Sequence, residues 1–259
     1  MPSRRIARRA AAPAALALLL GLGAYVAARA GIATQQLYPV LVKDPERTPP
    51  SGKVVVAPAD GIVLYVRRFT NGRAPLVVKN HRALEVTDLH KLEGGPREGL
   101  IVGIYMTTFG VHVNRAPLAG KLTRRAWFNG PDLDMSPLEK GLVLRALIPG
   151  PEALLDILGL SLSELVAESD HVLDSARESL VFEGDLRCVV VRIADYFVGE
   201  VLTWIDVGAH VETGERIGMI TWGSQTDLII ETPDPSVIEV AVKEGELVRA
   251  GESIVARYR

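Results

Sequence analysis

The fold is decided by the stretch Gly208-Ala209-His210-Val211-Glu212-Thr213-Gly214-Glu215-Arg216-Ile217. Its pattern, Gly-x-x-Val-x-x-Gly-Glu-x-Ile, returns 37 residues later (245 − 208) between Gly245 and Ile254. In both copies a glycine turn leads into a short strand, and a second glycine turn follows. This internal repeat predicts two similar hairpin units related by pseudo-symmetry, as in a lipoyl-like barrel sandwich.

A second, fainter echo lies upstream of the first. Ala57-Pro58-x-x-Gly61-x-Val63 matches Ala116-Pro117-x-x-Gly120-x-Leu122. A repeated fold needs the glycine in both copies, whereas Asp60 of the first copy is replaced by Ala119 in the second. The difference indicates a special role for Asp60, although aspartate before glycine is also ordinary turn chemistry.

The rest of the chain predicts a mainly β domain with one helical insertion. Short apolar runs separated by glycine and proline are typical of an all-β barrel or sandwich. Residues 151–168 break this pattern, because they are rich in leucine and contain a capping box at Ser161-x-x-Glu164. We expect two short helices that are interrupted near Gly159. They either pack on the barrel or form a membrane-facing or substrate-covering element.

Composition excludes several classes of function. The chain has 259 residues, 48% of them apolar, with a net charge of −2, which suits one or two domains and is too balanced for nucleic-acid binding. The single cysteine, Cys188, excludes an internal disulfide, and its apolar strand suits a buried small hydrophobe. The five histidines show no close-spaced ligand pattern, so we expect no metal site.

The N-terminus is not typical of a globular domain. Arginines 4, 5, 8 and 9 precede an apolar stretch at about residues 10–28, which is just long enough to cross a bilayer. It is a membrane anchor, a helix lying in the interface, or a signal peptide cleaved after Ala28-Arg29-Ala30. Residues 43–53, rich in proline and charge, read as a linker. We therefore divide the chain into an anchor with linker at 1–43 and a catalytic domain at 44–259.

The bond between Gly223 and Ser224 is a candidate for reaction within the chain itself. Trp222-Gly223-Ser224 precedes the apolar run Leu228-Ile229-Ile230. A serine hydroxyl can attack the carbonyl of a preceding glycine, because glycine does not shield that carbonyl and tolerates strained geometry. Elimination and hydrolysis of the resulting ester would leave a pyruvoyl group in place of the serine. Most Gly-Ser dipeptides are plain turns, so this one carries weight only with other motifs.

Four motifs in a fixed order carry a family resemblance. They are Ala57-Pro58-Ala59-Asp60-Gly61, Val111-His112-Val113-Asn114-Arg115-Ala116-Pro117, Phe182-Glu183-Gly184 and Gly223-Ser224-Gln225-Thr226-Asp227. Together they resemble the phosphatidylserine decarboxylase family, and most of all its short bacterial and archaeal class. The resemblance extends from about Asp44 to the C-terminus.

The resemblance implies a self-processing enzyme that converts phosphatidylserine to phosphatidylethanolamine and carbon dioxide. Cleavage between Gly223 and Ser224 would supply a pyruvoyl cofactor from Ser224 itself. The expected partners are the phospholipid, the membrane and the two cleaved chains as a heterodimer, with a higher homo-oligomer left open. It also favours the anchor interpretation and a location at the inner membrane. An arginine cluster kept in the cytoplasm would, however, place the domain outside after a single crossing.

The same resemblance suggests the site residues. His112 is the first choice for proton transfer, since its ordinary pKa suits both donation and removal of a proton. Asp60 would orient His112 in a Ser-His-Asp arrangement. Some relatives carry a second histidine, assigned to self-cleavage, where this chain has Arg115, and many have an acidic residue in place of Gly110. His112 is therefore a candidate for both steps.

Other polar residues have two interpretations each. Arg115 would anchor a phosphate or carboxylate, or form a structural salt bridge. Asn114 would be a donor to substrate or a cap at a strand end, and Asp227 would assist at the cleaved bond. Trp222 would pack in the core or line the head-group pocket. The remaining histidines read as surface residues: His81, His90, His171 and His210.

Two classes without enzymatic activity compete with this reading. An N-terminal anchor followed by a lipoyl-like barrel also describes membrane-fusion adaptors of transport systems. Those usually carry a long helical hairpin with heptads, whereas residues 151–168 are too short and lack a heptad run. A lipoyl or biotin carrier needs a lysine at a hairpin tip between the repeats, and Gly223-Ser224 occupies that region instead.

Overall fold

A computed structural model describes most of the predicted catalytic domain. The described residues are 44–78, 82–94, 97–107, 110–131, 133–148, 151–169, 171–194, 201–220 and 224–259. The predicted N-terminal membrane helix lies outside them, as do His81, Trp222 and Gly223. No helix within these ranges has the length and apolar character needed to cross a membrane.

Short strands dominate the described chain, as predicted. They are β1 (Val54–Val56), β2 (Gly61–Phe69), β3 (Arg73–Val78), β4 (Arg82–Glu85), β5 (Gly99–Met106), β6 (Val113–Arg115), β7 (Gly120–Phe128), β8 (Arg177–Gly184), β9 (Arg187–Ala194), β10 (Val201–Thr203), β11 (His210–Val211), β12 (Arg216–Ile220), β13 (Ser224–Glu231), β14 (Ile238–Val240), β15 (Leu247–Val248) and β16 (Ile254–Tyr258). The helices are α1 (Val86–His90), α2 (Ser136–Leu147), α3 (Glu152–Ile157), α4 (Leu162–Ala167) and α5 (His171–Asp174), with a 3-10 turn at Pro235–Val237.

One large antiparallel sheet organises the domain. Its order is β11-β7-β8-β9-β13-β5-β2-β15, so β13 lies near its centre. Two three-stranded sheets, β1-β16-β14 and β6-β12-β10, and the hairpin β3–β4 complete the strand pairing of the described residues. The prediction of a mainly β fold is confirmed.

The two sequence echoes form the two halves of a structural repeat. The amide of Gly214 donates to the carbonyl of Ala116, and the amide of Gly251 donates to that of Ala57, both at 2.9 Å. The first strand of each repeated unit shows the same equivalence. In it, Val211 of β11 pairs with Gly120, as Val248 of β15 pairs with Gly61. The predicted pseudo-symmetric repeat is therefore present, but its units are not hairpins. In each unit the two strands joined by the second glycine turn lie in different sheets, β11 and β12 in the first unit and β15 and β16 in the second.

The large sheet has an apolar cluster on each face. The inner cluster lies between this sheet and the two small sheets, and includes Leu228 and Ile230 of β13. The outer cluster, which includes Ile229, lies beneath the helices and the β3–β4 hairpin. Because side chains alternate along a strand, β13 presents residues 224, 226 and 228 to the inner cluster and residues 225, 227 and 229 to the outer one.

The helical insertion has the predicted form. Helices α3 and α4 are separated at Gly159, which has a φ of +67°, and the Ser161 hydroxyl accepts a hydrogen bond from the Glu164 amide. The insertion packs on the sheet through buried Leu155, Leu162 and Val166. It also leaves large apolar side chains exposed, which a role in packing alone does not explain. Helix α2, immediately upstream, was not predicted from the sequence.

The interpretation of residues 43–53 as a linker is wrong for the part that the structure describes. Asp44 accepts hydrogen bonds from Arg115 and Arg216, and Arg47 bonds to Asp60 and Glu252. Residues 44–47 therefore form a strap that is tied to both halves of the repeat. Proline and charge, which also characterise linkers, serve here to fix an irregular segment against the domain.

Candidate active site

Ser224 is the first residue of β13 and is wholly buried. Its neighbours in the sheet are Met106 of β5 and Ala194 of β9. The hydroxyl oxygen lies 3.3 Å from the sulfur of Met106. A thioether is a weak acceptor, so the hydroxyl loses little when it turns towards another group. Gly223, the other half of the predicted cleavage site, lies outside the described residues.

Met106 gathers three polar side chains around its sulfur. The Asn114 amide nitrogen lies 3.7 Å from this sulfur, and the Thr226 hydroxyl lies 3.2 Å from it. Asn114 also donates to Thr226 at 3.3 Å. The Asn114 Oδ1 is buried and has no hydrogen-bond partner within the described ranges. The structure thus brings Asn114 to Ser224, and adds Met106 and Thr226, which sequence reasoning missed.

His112 is buried just before β6. Its Nδ1 lies 2.8 Å from the carbonyl of Gly110, so the neutral ring carries its hydrogen there and has Nε2 as the acceptor. That Nε2 is buried and bonds to no other described residue. Burial holds the pKa of His112 below its usual value, while the bond to Gly110 and the charge of Asp60 oppose this. At neutral pH the ring is therefore an unprotonated base.

Asp60 does not contact His112, which corrects the predicted Ser-His-Asp arrangement. Its two oxygens accept from Arg47 at 2.8 Å and from the Ala250 amide at 2.7 Å. Asp60 therefore ties the first repeat's turn to the strap and affects His112 only through space. Sequence reasoning missed this competition, because Arg47, 13 residues before Asp60, falls in the predicted linker and Ala250 lies 190 residues after it.

Arg115 forms a structural salt bridge, so of its two interpretations the geometry supports this one. The guanidinium donates to Asp44 at 2.7 Å, to the Pro45 carbonyl at 3.1 Å and to the Gly214 carbonyl at 3.0 Å. Its side chain is almost wholly buried. Because its donors are engaged in this way, Arg115 holds the strap. It does so at the position where some relatives carry a second histidine.

The pseudo-symmetry provides a separate indication of the site. The two halves are related by an offset of 59 residues (116 − 57). Asn114 and Arg115 are therefore equivalent to Val55 and Val56 of the other half. Both valines are fully buried. The fold therefore accepts apolar residues at these positions, and only one half carries polar ones. Extending the fainter echo two residues upstream would have revealed this difference from the sequence.

Asp227 lies on the opposite face of β13 from Ser224, so the expectation that it assists at the cleaved bond is not supported. Its Oδ1 accepts from the Tyr65 hydroxyl and from Gln225, both at 2.9 Å. Burial raises the pKa of Asp227 to about 7, although these hydrogen bonds and the charge of Arg177 lower it in part. Side-chain alternation along a strand separates two residues that are close in sequence.

The expectation for the other histidines was wrong for two of them. His90 and His171 are buried, whereas His210 is exposed as predicted. Burial lowers the pKa of His90 to about 4, and His171 bonds to Gln225 at 2.9 Å. Polar sequence neighbours suggested a surface, but helices α1 and α5 pack these residues against the large sheet. Cys188 is buried as predicted, which raises the pKa of its thiol.

No cluster of histidine, cysteine or carboxylate side chains suited to a metal ion occurs in the described part of the chain. The Ser224 and Thr226 hydroxyls and the Asn114 amide lie around the Met106 sulfur. His112, two residues before Asn114, adds a neutral imidazole, although no hydrogen bond among the described residues joins it to Ser224. Such a set can move protons and orient a carbonyl.

Comparison with known proteins agrees with this geometry. Residues 39–256 match the family model described as phosphatidylserine decarboxylase. A phosphatidylserine decarboxylase proenzyme of Symbiobacterium thermophilum is 30% identical over 221 residues, which cover 83% of this chain and 76% of that protein. A protein of Methanocaldococcus jannaschii, provisionally named an archaetidylserine decarboxylase proenzyme, is 30% identical over 220 residues, covering 84% and 87%.

These matches define a decarboxylase proenzyme, and thus an enzyme of the carboxy-lyase class. The chain belongs to the phosphatidylserine decarboxylase family. The adaptor alternative receives no support, and the expected resemblance is confirmed. Because the relatives are named as proenzymes, membership of this family is consistent with a cofactor made by self-processing of the chain.

The raised pKa of Asp227 predicts a specific dependence of stability on pH. Between about pH 4 and pH 7 the folded state keeps a proton that the unfolded carboxyl has lost, so this group lowers stability as pH rises through that window. Asp227→Asn cannot ionise. Its unfolding temperature, relative to wild type, should therefore be several degrees higher at about pH 8 than at about pH 5.

Thermal unfolding followed by circular dichroism measures this difference. The exposed Asp206→Asn serves as the control. If the difference in unfolding temperature between Asp227→Asn and wild type stays constant with pH, the folded state does not hold Asp227 protonated at acidic pH and the prediction is wrong.

Proposed function

We propose that this chain cleaves itself between Gly223 and Ser224 and then decarboxylates a phospholipid with a serine head group. The observation that carries the proposal is the wholly buried Ser224 hydroxyl at the start of a central strand, whose one hydrogen-bond partner among the described residues is a methionine sulfur. A hydroxyl needed only for stability in that position would bond to a stronger acceptor.

Cleavage begins when the Ser224 oxygen attacks the Gly223 carbonyl carbon. The peptide C–N bond breaks as the C–O bond forms, and the serine nitrogen takes up a proton to become an amine. Loss of the Ser224 α-proton then expels Gly223 as a carboxylate and leaves a carbon–carbon double bond at residue 224. Hydrolysis releases ammonia and leaves a pyruvoyl group at the head of residues 224–259.

His112 is the base in this scheme. Its Nε2 is unprotonated at neutral pH and is not engaged by any described residue, so it is available to take the Ser224 proton. The charge of Asp60, acting through space, favours the imidazolium that results. Asn114 and Ser224 share the Met106 sulfur. The Asn114 amide nitrogen donates to Thr226, and its second N–H, which has only the weak sulfur acceptor, can turn to the oxyanion.

The residues around Ser224 also suit a carbonyl group in its place. The Asn114 amide nitrogen can donate to a ketone oxygen in that position, whereas the unpartnered Asn114 Oδ1 and His112 Nε2 are acceptors that can receive an N–H of the substrate amine or a proton. When formed, the pyruvoyl group supplies the electron sink that loss of carbon dioxide requires. His112 then holds the proton that replaces carbon dioxide on the product.

The two pieces remain together as a heterodimer in this proposal. Strand β13 of the small piece pairs with β5 and β9 of the large piece along its whole length. Strand β16 likewise pairs with β1. The repeated strand–turn–strand units, each of which connects the large sheet to a small one, support assigning the finer fold class as a lipoyl-like barrel sandwich.

The proposed substrate is phosphatidylserine and the products are phosphatidylethanolamine and carbon dioxide. The relatives include proteins named for phosphatidylserine and others named for archaetidylserine. Both names imply the same serine head group, on which the decarboxylation takes place. Assays with both lipids distinguish the two backbones.

We further propose that helices α2 and α3 contact the membrane that holds this lipid, at the inner membrane. Both helices expose large apolar side chains: Val143, Leu144, Leu147, Leu154, Ile157 and Leu158. An apolar groove of about 330 Å³ lies between the helices and the sheet, lined by Leu142, Ala146, Leu155 and Leu162 among others. An exposed apolar patch next to such a groove suits a bilayer surface.

Self-cleavage is tested directly on purified protein. The chain should separate on a denaturing gel into pieces of 223 and 36 residues (259 − 223). The small piece should resist Edman sequencing, because a pyruvoyl end has no amine. Ser224→Ala should remain one chain. A wild-type protein that is active without cleavage would sink the proposal.

His112→Ala should slow cleavage by about 10²–10⁴-fold, the usual cost of losing a positioned base. Because the pKa of His112 lies below its usual value, the wild-type cleavage rate should rise with pH only below about pH 6.5 and then level off. The time course of chain separation at several pH values measures both effects. His210→Ala, at an exposed histidine, is the control. Unchanged cleavage in His112→Ala would assign the base elsewhere.

Charge placed on the exposed helical face should weaken contact with the membrane. Leu147 and Ile157 are 71% and 82% exposed, and Val207, next to β11 at the edge of the large sheet farthest from β2 and β15, is 56% exposed. Leu147→Glu and Ile157→Glu should lower decarboxylation of bilayer phosphatidylserine at least several-fold and leave a soluble short-chain substrate unaffected. Val207→Glu is the matched control. Equal activity of all three variants on bilayers would contradict the proposal.

A further inference from the structure

Cleavage before Ser224 would turn the start of a central strand into a free chain end. Chain ends commonly fray, and the reactive group would be the first residue of this one. Backbone pairing to β5 and β9 holds the strand on both sides. Side-chain hydrogen bonds restrain the first residues of the strand in addition to this backbone pairing.

Tyr65 reaches the strand from two strands away. In the large sheet Tyr65 of β2 pairs with Gly103 of β5, which pairs with Asp227 of β13. The tyrosine ring crosses over Gly103, where an added Cβ would lie 2.3 Å from it. Its hydroxyl then bonds to Asp227. This crossing is possible only because residue 103 has no side chain.

Gln225, next to the reactive residue, is held by three groups. Its amide nitrogen lies 3.0 Å from the Tyr65 hydroxyl and 2.9 Å from Asp227 Oδ1, and its oxygen lies 2.9 Å from His171 Nε2. All four side chains are buried. Arg177 fixes the segment that carries His171, by donating to the carbonyls of His171 and Val172.

We propose that Tyr65, Gln225, Asp227 and His171 form an anchor that holds the new chain end in place after cleavage. The inference rests on the proposed function. Apolar packing alone would stabilise β13 but would permit it to shift, whereas hydrogen bonds from one defined side chain fix a single register. These are positioning residues, since they face away from Ser224 and act through the backbone of Gln225.

The test compares processed protein with uncut protein carrying Ser224→Ala. Gln225→Leu keeps the size of the side chain and removes its three hydrogen bonds, and Tyr65→Phe removes only the hydroxyl. Ile229→Val, in the apolar part of the same strand face, is the control. In the processed protein, hydrogen exchange of amides 225–228 should become about tenfold faster in the two anchor variants. Exchange in their uncut forms should change much less.

Activity supplies a second readout. The anchor variants should cleave at the wild-type rate, yet show a lower kcat per cleaved chain with KM unchanged, because a displaced end removes enzyme from turnover. If Gln225→Leu does not fold, Tyr65→Phe decides the question. Equal exchange in cut and uncut forms, or a wild-type kcat, would overturn the anchor. An uncut wild-type chain would instead show that the proposed function itself fails.

Discussion

Strand β13 is hydrogen-bonded on both sides, from Ser224 to Glu231, and the arrangement of the site depends on this pairing. A strand held in this way cannot rotate, so its side chains must alternate between the two faces of the sheet. Ser224 and Thr226 therefore meet Met106 and Asn114, while Gln225 and Asp227 meet Tyr65. Backbone pairing thus places the reacting side chains on one face of the strand and the side chains that anchor it on the other.

The structural repeat explains how a small barrel accommodates a reactive centre. Both halves need the same turns, which Gly214 and Gly251 supply in equivalent positions. One half keeps buried Val55 and Val56, whereas the other carries Asn114 and Arg115. Buried polar groups usually weaken a core unless they are fully bonded. The apolar half supports the fold, and the polar half can retain an unsatisfied amide oxygen beside Ser224.

Charge around the site is organised by the strap rather than by a triad. Arg47 and Arg115 each bind a carboxylate while remaining nearly buried, and in both pairs one partner belongs to residues 44–47. Breaking one partner of such a pair leaves a buried charge, which is costly. The strap therefore belongs to the catalytic domain. Burial keeps the pKa of His112 below its usual value despite the nearby charge of Asp60, so its ring is uncharged at neutral pH.

Local patterns in the sequence determined the β class, the repeated glycine turns, the two short helices around Gly159 and the family motifs, because each depends on residues that are close in the chain. They did not determine that the two strands of each repeated unit pair in different sheets rather than as a hairpin. They also singled out Ser224, His112 and Asn114. Contacts between distant segments were decided only by the tertiary structure. Asp60 binds Arg47 rather than His112, and Tyr65 reaches Asp227 across Gly103. Which face a side chain occupies, and which partner it meets there, follow from strand register and packing. Register and packing are properties of the whole sheet, which no local pattern contains.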